Sequence, residues 1–340
     1  MRILDWIRGG HRTVPQEDER ASEDLERIIQ LTNPRLRFAR RYRARLLPAV
    51  QLAKQYARSL IAGIPPARDA SNEAWRSDDC MRAFFASADE LMRSFSRSPE
   101  LRAWFDINPH ADRAYAVLSM ALVERHVLGT EIENGIMRRD VPQTTLSFAD
   151  HRVRICGRSE AELRQDIERR VIDQLALTGL ALASQDLSQR EVLEEENALL
   201  RSRRRLLESQ GAGLASLSGA AAQEGALARL RRELAVNEEN LRSLAAGPEA
   251  LDYQLEKLLE VLSHAGERLF VSSRRVRLNR MNVVVSEESP LQGEALDLQI
   301  ARIPIPDGPP EYRTFALTRF ARESLLPSRV LYADAARMLH

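Results

Sequence analysis

The stretch from Val192 to Leu207 reads Val-Leu-Glu-Glu-Glu-Asn-Ala-Leu-Leu-Arg-Ser-Arg-Arg-Arg-Leu-Leu. Its apolar residues come in pairs, Val192-Leu193, Leu199-Leu200 and Leu206-Leu207, that recur every seven residues. A strand repeats every two residues, whereas a seven-residue repeat belongs to a helix that offers a stripe to another helix. The start of that helix is marked by Ser159-Glu-Ala-Glu162, a capping box that satisfies the first backbone N–H groups, and the pattern holds to about Gln210. Gly211–Gly225 is rich in Gly, Ala and Ser, as a hairpin tip or flexible linker would be. Leu227, Leu230, Leu234, Asn237, Leu241 and Leu244 then alternate three and four residues apart, an a/d seam with one polar position. Gly247-Pro248 interrupts the pattern, and Leu251, Leu255, Leu258 and Leu262 resume it in phase. The short linker favours an antiparallel coiled-coil hairpin. Two arms of about 24 residues at 1.5 Å each would project a rod of roughly 36 Å.

Upstream, Ile3, Leu4, Trp6 and Ile7 cluster between Arg2 and Arg8. They read as two turns of helix that pack on the rest of the chain or dip into a membrane interface. Polar residues lead from there to a short helix over Ser22–Leu31. Asn33-Pro34 is an N-cap followed by proline at the first helical position, opening a helix to about Ile64. At 100° per residue Phe38, Tyr42, Leu46, Ala49, Ala53, Tyr56 and Leu60 share its core face, and Pro48 on the polar side should kink it. Helices over Asp79–Phe95, Pro99–Phe105 (Ser98 as cap) and Ala111–Leu128 complete an N-terminal bundle.

Strand signals follow. Glu133-Asn134-Gly135 reads as a tight turn, and Thr145–Phe148 and Arg152–Cys156 alternate around a turn at Ala149-Asp150-His151. After the coiled coil the period falls to two, at Val276 and Leu278, Val283–Val285, Leu296 to Ile300, and Phe315 and Leu317, with Pro306-Asp-Gly-Pro-Pro310 as a turn. This predicts an antiparallel meander over about 269–320, closed by a short helix near Ser328–Leu339.

The expected fold class is mainly α with a smaller β part (α+β): N-terminal helical bundle, long coiled-coil hairpin, C-terminal antiparallel β-meander. The expected segments are 1–32, a mobile lead-in with a short amphipathic helix; 33–130, the bundle; 131–158, a β-hairpin; 159–265, the long helix and hairpin; and 266–340, the meander with its terminal helix.

Composition bounds the function. A formal charge of +1 creates no global field toward nucleic acid or membrane, so any such attraction is local. Aromatics at 5% leave a core of Leu, Ala, Val and Ile, which suits helices. All basic residues except Lys54 and Lys257 are arginine, as GC-rich bacterial coding favours. Cys80 and Cys156 form no disulfide framework or C-x-x-C pair, and the start lacks the apolar core of a signal peptide. The longest uncharged apolar run, near Leu175–Ala183, is about half a membrane span. These features predict a cytoplasmic protein with no transmembrane segment.

From Asn33 to Pro66 there are eight basic residues and no acidic one. Arg37, Arg40, Arg41, Arg43 and Arg45 therefore stand as candidate anion contacts for nucleic acid or acidic lipid. The plain alternative is a solvated face, or one paired with acidic helices. With Phe38 and Tyr42 assigned to the core face, the aromatic interleaving of single-strand binders is missing. No G-x-x-x-x-G-K-[ST], G-x-G-x-x-G, G-x-S-x-G or H-E-x-x-H occurs. Asp106-x-x-x-His110-x-Asp112, Glu124 with His126, and Asp150 with His151 read as caps and turns before they read as acid–base or metal sites. Flanking Asp78-Asp79 would raise the pKa of Cys80, the wrong direction for a nucleophile. No catalytic, cofactor or metal residue is assigned.

The leading expectation is a non-enzymatic scaffold or adaptor that engages a protein partner, or itself as a homodimer, through Leu227, Leu230, Leu234, Asn237, Leu241 and Leu244. An anionic-polymer or membrane-surface binder acting through the arginine helix over 35–58 is the alternative, and an enzyme with an unrecognised site a further one.

Overall fold

The computed structural model describes residues 14–133, 136–211, 220–243, 250–286, 293–305 and 308–327. In chain order the helices are α1 (Val14–Leu31), α2 (Tyr42–Ala62), α3 (Asn72–Ser77), α4 (Asp79–Phe84), α5 (Ala88–Arg97), α6 (Pro99–Ile107), α7 (Glu160–Gly211), α8 (Ala220–Ser243) and α9 (Ala250–Ser263). The strands are β1 (Arg68–Asp69), β2 (Arg113–Glu133), β3 (Ile136–Gly157), β4 (Phe270–Leu278), β5 (Glu294–Ile303) and β6 (Glu311–Ala321). The fold is mixed α+β with an antiparallel sheet. No helix among the described residues is long and apolar enough to cross a membrane. The expected segments at Met1–Ile7, Asn134-Gly135 of the tight turn, the hairpin tip at 212–219, Gly247-Pro248, Pro306-Asp307 and Ser328–Leu339 lie outside the described residues, as does Leu244.

The chain divides into two compact units, Met1–Ala53 with Asp173–His264, and Lys54–Ile172 with Ala265–His340. In the first, Leu25, Ile28 and Ile29 of α1, Leu46 and Val50 of α2, Leu175 and Ala176 of α7, and Leu255, Leu258 and Leu262 of α9 are all buried. Ion pairs border these apolar faces, Arg27 with Asp173 and Arg45 with Asp252, and Asn33 Nδ2 donates to Gln254 Oε1 at 2.7 Å. A Cβ added to Gly179 of α7 would lie 3.0 Å from Leu258 Cα, so glycine there permits the close approach of α9. Beyond this point Tyr253 Oη donates to Asp186, which also pairs with Lys257.

The predicted helix over 33–64 is corrected. Asn33 does cap, its Oδ1 accepting from Arg35 N at 3.0 Å, but what it caps is a single 3-10 turn, Pro34–Phe38. Leu36 and Ala39 are the buried residues of this stretch, three apart, and a three-residue period is that of a 3-10 turn. Arg41 then adopts a left-handed conformation (φ 53°) and α2 restarts at Tyr42. Phe38 consequently leaves the core face it was assigned and stands 82% exposed. Pro48 lies inside α2 on its exposed side.

In the second unit the sheet order is β3-β2-β6-β5-β4, with β1 parallel to β6. The expected meander is present as β4, β5 and β6, and β6 pairs with β2, so both β segments belong to one sheet. The segment Val283–Val285 joins its outer strands, Val283 bridging to Thr145 of β3 and Val284 to Leu278 of β4. Ala114, Ala116, Leu118 and Met120 of β2 are each 0% exposed and pack with Phe85 at the end of α4, Phe95 of α5, Leu101 and Phe105 of α6, and Phe320 of β6.

That alternation overturns the predicted helix at Ala111–Leu128. Ala, Leu and Met favour helix locally, but hydrogen bonding to β3 on one side and β6 on the other outweighs a propensity of a few tenths of a kcal/mol per residue. The expected hairpin within 145–156 is also corrected, since β3 runs through it. Asp150 adopts φ 52° where the β2–β3 register slips between Ser119 and Ala121, so the turn read there is a bulge. Arg313, 5% exposed, holds that bulge by donating to Asp150 Oδ2 at 2.8 Å and to its carbonyl at 2.6 Å. The helix expected over Asp79–Phe95 is broken by a capping box: Ser87 Oγ accepts from Glu90 N at 3.1 Å and the Glu90 carboxylate accepts from Ala86 N at 2.8 Å.

Candidate functional site

The capping box at the head of α7 forms as its sequence implies, Ser159 Oγ accepting from Glu162 N at 3.2 Å, with the Glu162 carboxylate accepting from Arg158 N at 2.8 Å. From Glu160 the helix runs without interruption for 52 residues. Along its distal half the first two apolar doublets split, and the side chains of the third, Leu206-Leu207, lie outside those described. Leu193 and Leu200 are half-buried, whereas Val192 is 53% and Leu199 71% exposed. The half that turns inward is in register with Asn197, which is 4% exposed, so buried or half-buried positions fall at 193, 197 and 200, four and three apart. This spacing gives one inward stripe and leaves a second stripe, seven residues apart, facing water.

On α8, Leu230 and Leu234 are buried at 5% each, Leu227, Asn237 and Leu241 are half-buried, and Val236 is 59% exposed. Asn237 Nδ2 donates to Glu196 Oε2 at 3.2 Å, and Arg201 pairs with Glu238 at 3.0 Å. The polar position read from the sequence, Asn237, thus has a partner for its Nδ2. Sequence reasoning missed Asn197, whose two amide atoms are buried without a hydrogen-bond partner. Its signal was present: it lies four residues after Leu193 and three before Leu200, where a seam residue belongs.

The five candidate arginines separate. Arg37 and Arg43 both pair with Glu26 at 3.1 Å, and Arg45 with Asp252 at 3.0 Å and Glu256 at 3.6 Å. Arg40 and Arg41 are exposed and make no ion pair among the described residues. Arg35, not singled out by the sequence reading, is exposed and equally unpaired.

The catalytic candidates do not assemble. Asp106, His110 and Asp112 are exposed side chains. Glu124 pairs with Arg274 at 2.9 Å, and His126 Nδ1 meets Thr144 Oγ1 at 3.1 Å. His151 Nε2 lies 2.8 Å from the Phe84 carbonyl, an acceptor, so Nε2 carries the proton; its ring stacks on Phe85, and burial lowers its pKa. Burial pushes the Cys80 thiol up to about 11 and the Cys156 thiol up to about 12, which leaves both protonated and poor nucleophiles. For Cys80 the neighbouring aspartates named from sequence add to the rise, after burial. Among the described residues no three His, Cys, Asp or Glu side chains are grouped to hold a metal ion.

Two adjoining clefts of about 590 and 700 Å³ share Arg82, Ala83, Arg280, Met281 and Asn282, and neither His110 nor His126 lines them. Several of their polar groups serve the fold: Arg82 pairs with Asp79, Asn282 Nδ2 donates to the Ala83 carbonyl, and Trp75 Nε1 donates to that of Phe85. No family model, curated protein or solved structure matches the chain.

Proposed function

We propose that the protein is a non-enzymatic scaffold or adaptor that engages a protein partner, or a second copy of itself, through a helical hairpin built by α7 with α8 and α9. Contacts along α7 support the hairpin. As its residues rise from Gly179 and Asp186 to Glu196 and Arg201, their partners fall from Leu258 and Tyr253 to Asn237 and Glu238. Antiparallel helices give that order.

The observation that carries the function is the outward stripe. One inward seam suffices for a two-stranded hairpin, and Val192 and Leu199, seven residues apart on α7, add an exposed apolar stripe that a third helix would cover. Burying their exposed parts is worth about 3 kcal/mol per chain, or on the order of a hundred-fold in affinity. Of the charged residues between the doublets, Glu195 and Arg203 are exposed and suit the flanks of such a contact, while Glu196 is engaged by Asn237.

The test is sedimentation of the full chain over a range of concentrations, with mass spectrometry of what co-purifies from its native cells. Self-association or a stoichiometric partner, lost in the double variant V192E/L199E with helical content unchanged, is expected. A chain that stays monomeric and solitary, or a double variant that keeps its partner, overturns the reading.

A further inference from the structure

We propose that the turn Asn33–Arg41 is a docking knuckle for an anionic phospholipid surface, with Phe38 as the inserted side chain and Arg35, Arg40 and Arg41 as headgroup contacts. This is independent of the hairpin reading, because none of these residues lies on α7, α8 or α9.

Charge selects the residues. Of the eight basic side chains between Asn33 and Pro66, Arg37 and Arg43 share the Glu26 carboxylate, Arg45 and Arg58 are paired with carboxylates of their own, and Lys54 also has an interaction partner. Arg35, Arg40 and Arg41 have no carboxylate partner among the described residues, and all three are exposed. They bracket Phe38, whose 82% exposure makes it the most exposed of the large apolar side chains among the described residues. Leu31, two residues before the turn, is 41% exposed. An aromatic flanked by guanidinium groups matches the border between acyl chains and acidic headgroups, where the ring enters and the cations stay at the phosphates.

The knuckle is also preformed. Leu36 anchors it at 1% exposed, the Asn33 side chain both caps the turn and donates to Gln254, and Arg37 is tied to Glu26. Docking therefore orders little backbone. A protruding single ring suits a broad interface better than a nucleic acid strand, for which stacking platforms set several aromatics along a groove. The second apolar side chain here, Leu31, is aliphatic: it can insert among acyl chains but offers no ring for a base.

The experiment is flotation of the full chain with vesicles of phosphatidylcholine alone or mixed with phosphatidylglycerol. Selective binding to the mixed vesicles, weakened by salt, is expected. Each arginine near such a surface is worth roughly five-fold, so R35Q/R40Q/R41Q should weaken binding about 100-fold. Phe38→Ala should weaken it on the order of ten-fold. R43Q, which removes one of the two guanidiniums that share the single Glu26 carboxylate, should weaken binding by less than the roughly five-fold of an unshared arginine. All substitutions are at exposed side chains, and circular dichroism checks the fold. In F38W the tryptophan emission should shift to the blue on mixed vesicles by more than that of the parent, which carries Trp6, Trp75 and Trp104. Equal binding to both vesicle types, a triple variant that binds like the parent, or an F38W emission that shifts no more than the parent's overturns the proposal. Salt-sensitive retention on single-stranded oligonucleotide without vesicle binding also overturns it, transferring the arginines to nucleic acid.

Discussion

Asn197 is 4% exposed, and neither its Nδ2 nor its Oδ1 has a hydrogen-bond partner. Burying an amide in this condition forfeits its hydration without replacement, a penalty of about 1–3 kcal/mol. Leucine at this position removes the unpaired groups, matches the inward stripe of Leu193 and Leu200, and adds a few tenths of a kcal/mol of helix propensity. Against this stands the misfit of a branched side chain, up to about 1 kcal/mol. The variant N197L should therefore be more stable than the parent, by about 1–3 kcal/mol, which is an uncommon sign for a core substitution. Urea unfolding of the full chain, followed by far-ultraviolet circular dichroism, reads this as a midpoint displaced upward with unchanged slope. A variant of equal or lower stability would refute the reasoning, because it would mean that the Asn197 amide is paired in solution. The substitution also separates two roles. If Val192 and Leu199 carry association, N197L keeps it; if a buried polar key sets partner choice, N197L stabilises the chain and loses its partner.

Other outcomes follow from the same structure. Gly179→Val drives a side chain against the Leu258 backbone and should destabilise by about 1–3 kcal/mol in the same urea assay. Hydrogen bonding by the Arg319 guanidinium holds the Asp69 carboxyl below its usual range, and Arg313 and Arg152 do the same for Asp150. Unfolding frees both acids to take up protons near pH ~3.9, so the stability they contribute is complete above that range and lost as pH falls below it. D69N/D150N should flatten the decline in urea midpoint between about pH 5 and 2; a decline as steep as the parent's would show that these pairs do not govern it. Native protein should react slowly with a thiol reagent such as dithionitrobenzoate at neutral pH, and the denatured chain quickly at both cysteines, given thiols pushed up to about 11 and 12. Fast labelling of the native chain would contradict their burial.

The seven-residue repeat of apolar doublets and the capping box at Ser159 were sufficient to place α7, since a helix of this length is fixed by local spacing and a local cap. The period-two pattern of the C-terminal part likewise located β4, β5 and β6. At Ser87-Ala-Asp-Glu90 the capping box is written in the sequence, but apolar periodicity runs through it and hides the break. The strand at Ala114–Met120 was not legible, since its composition favours helix and its alternation gains energy only once β3, β6 and the α3–α6 helices are beside it.

The candidate surfaces divide the same way. The run of arginines is a property of the sequence, but which of them remain charged toward solvent depends on where Glu26, Asp252 and Glu256 fall, a matter of tertiary pairing between distant residues. Repeats and caps act over a few residues and can be read from spacing. The exposure of Phe38, the burial of Asn197 and the joining of β2 to β6 depend on residues far apart in the chain, and only the folded backbone brings those together.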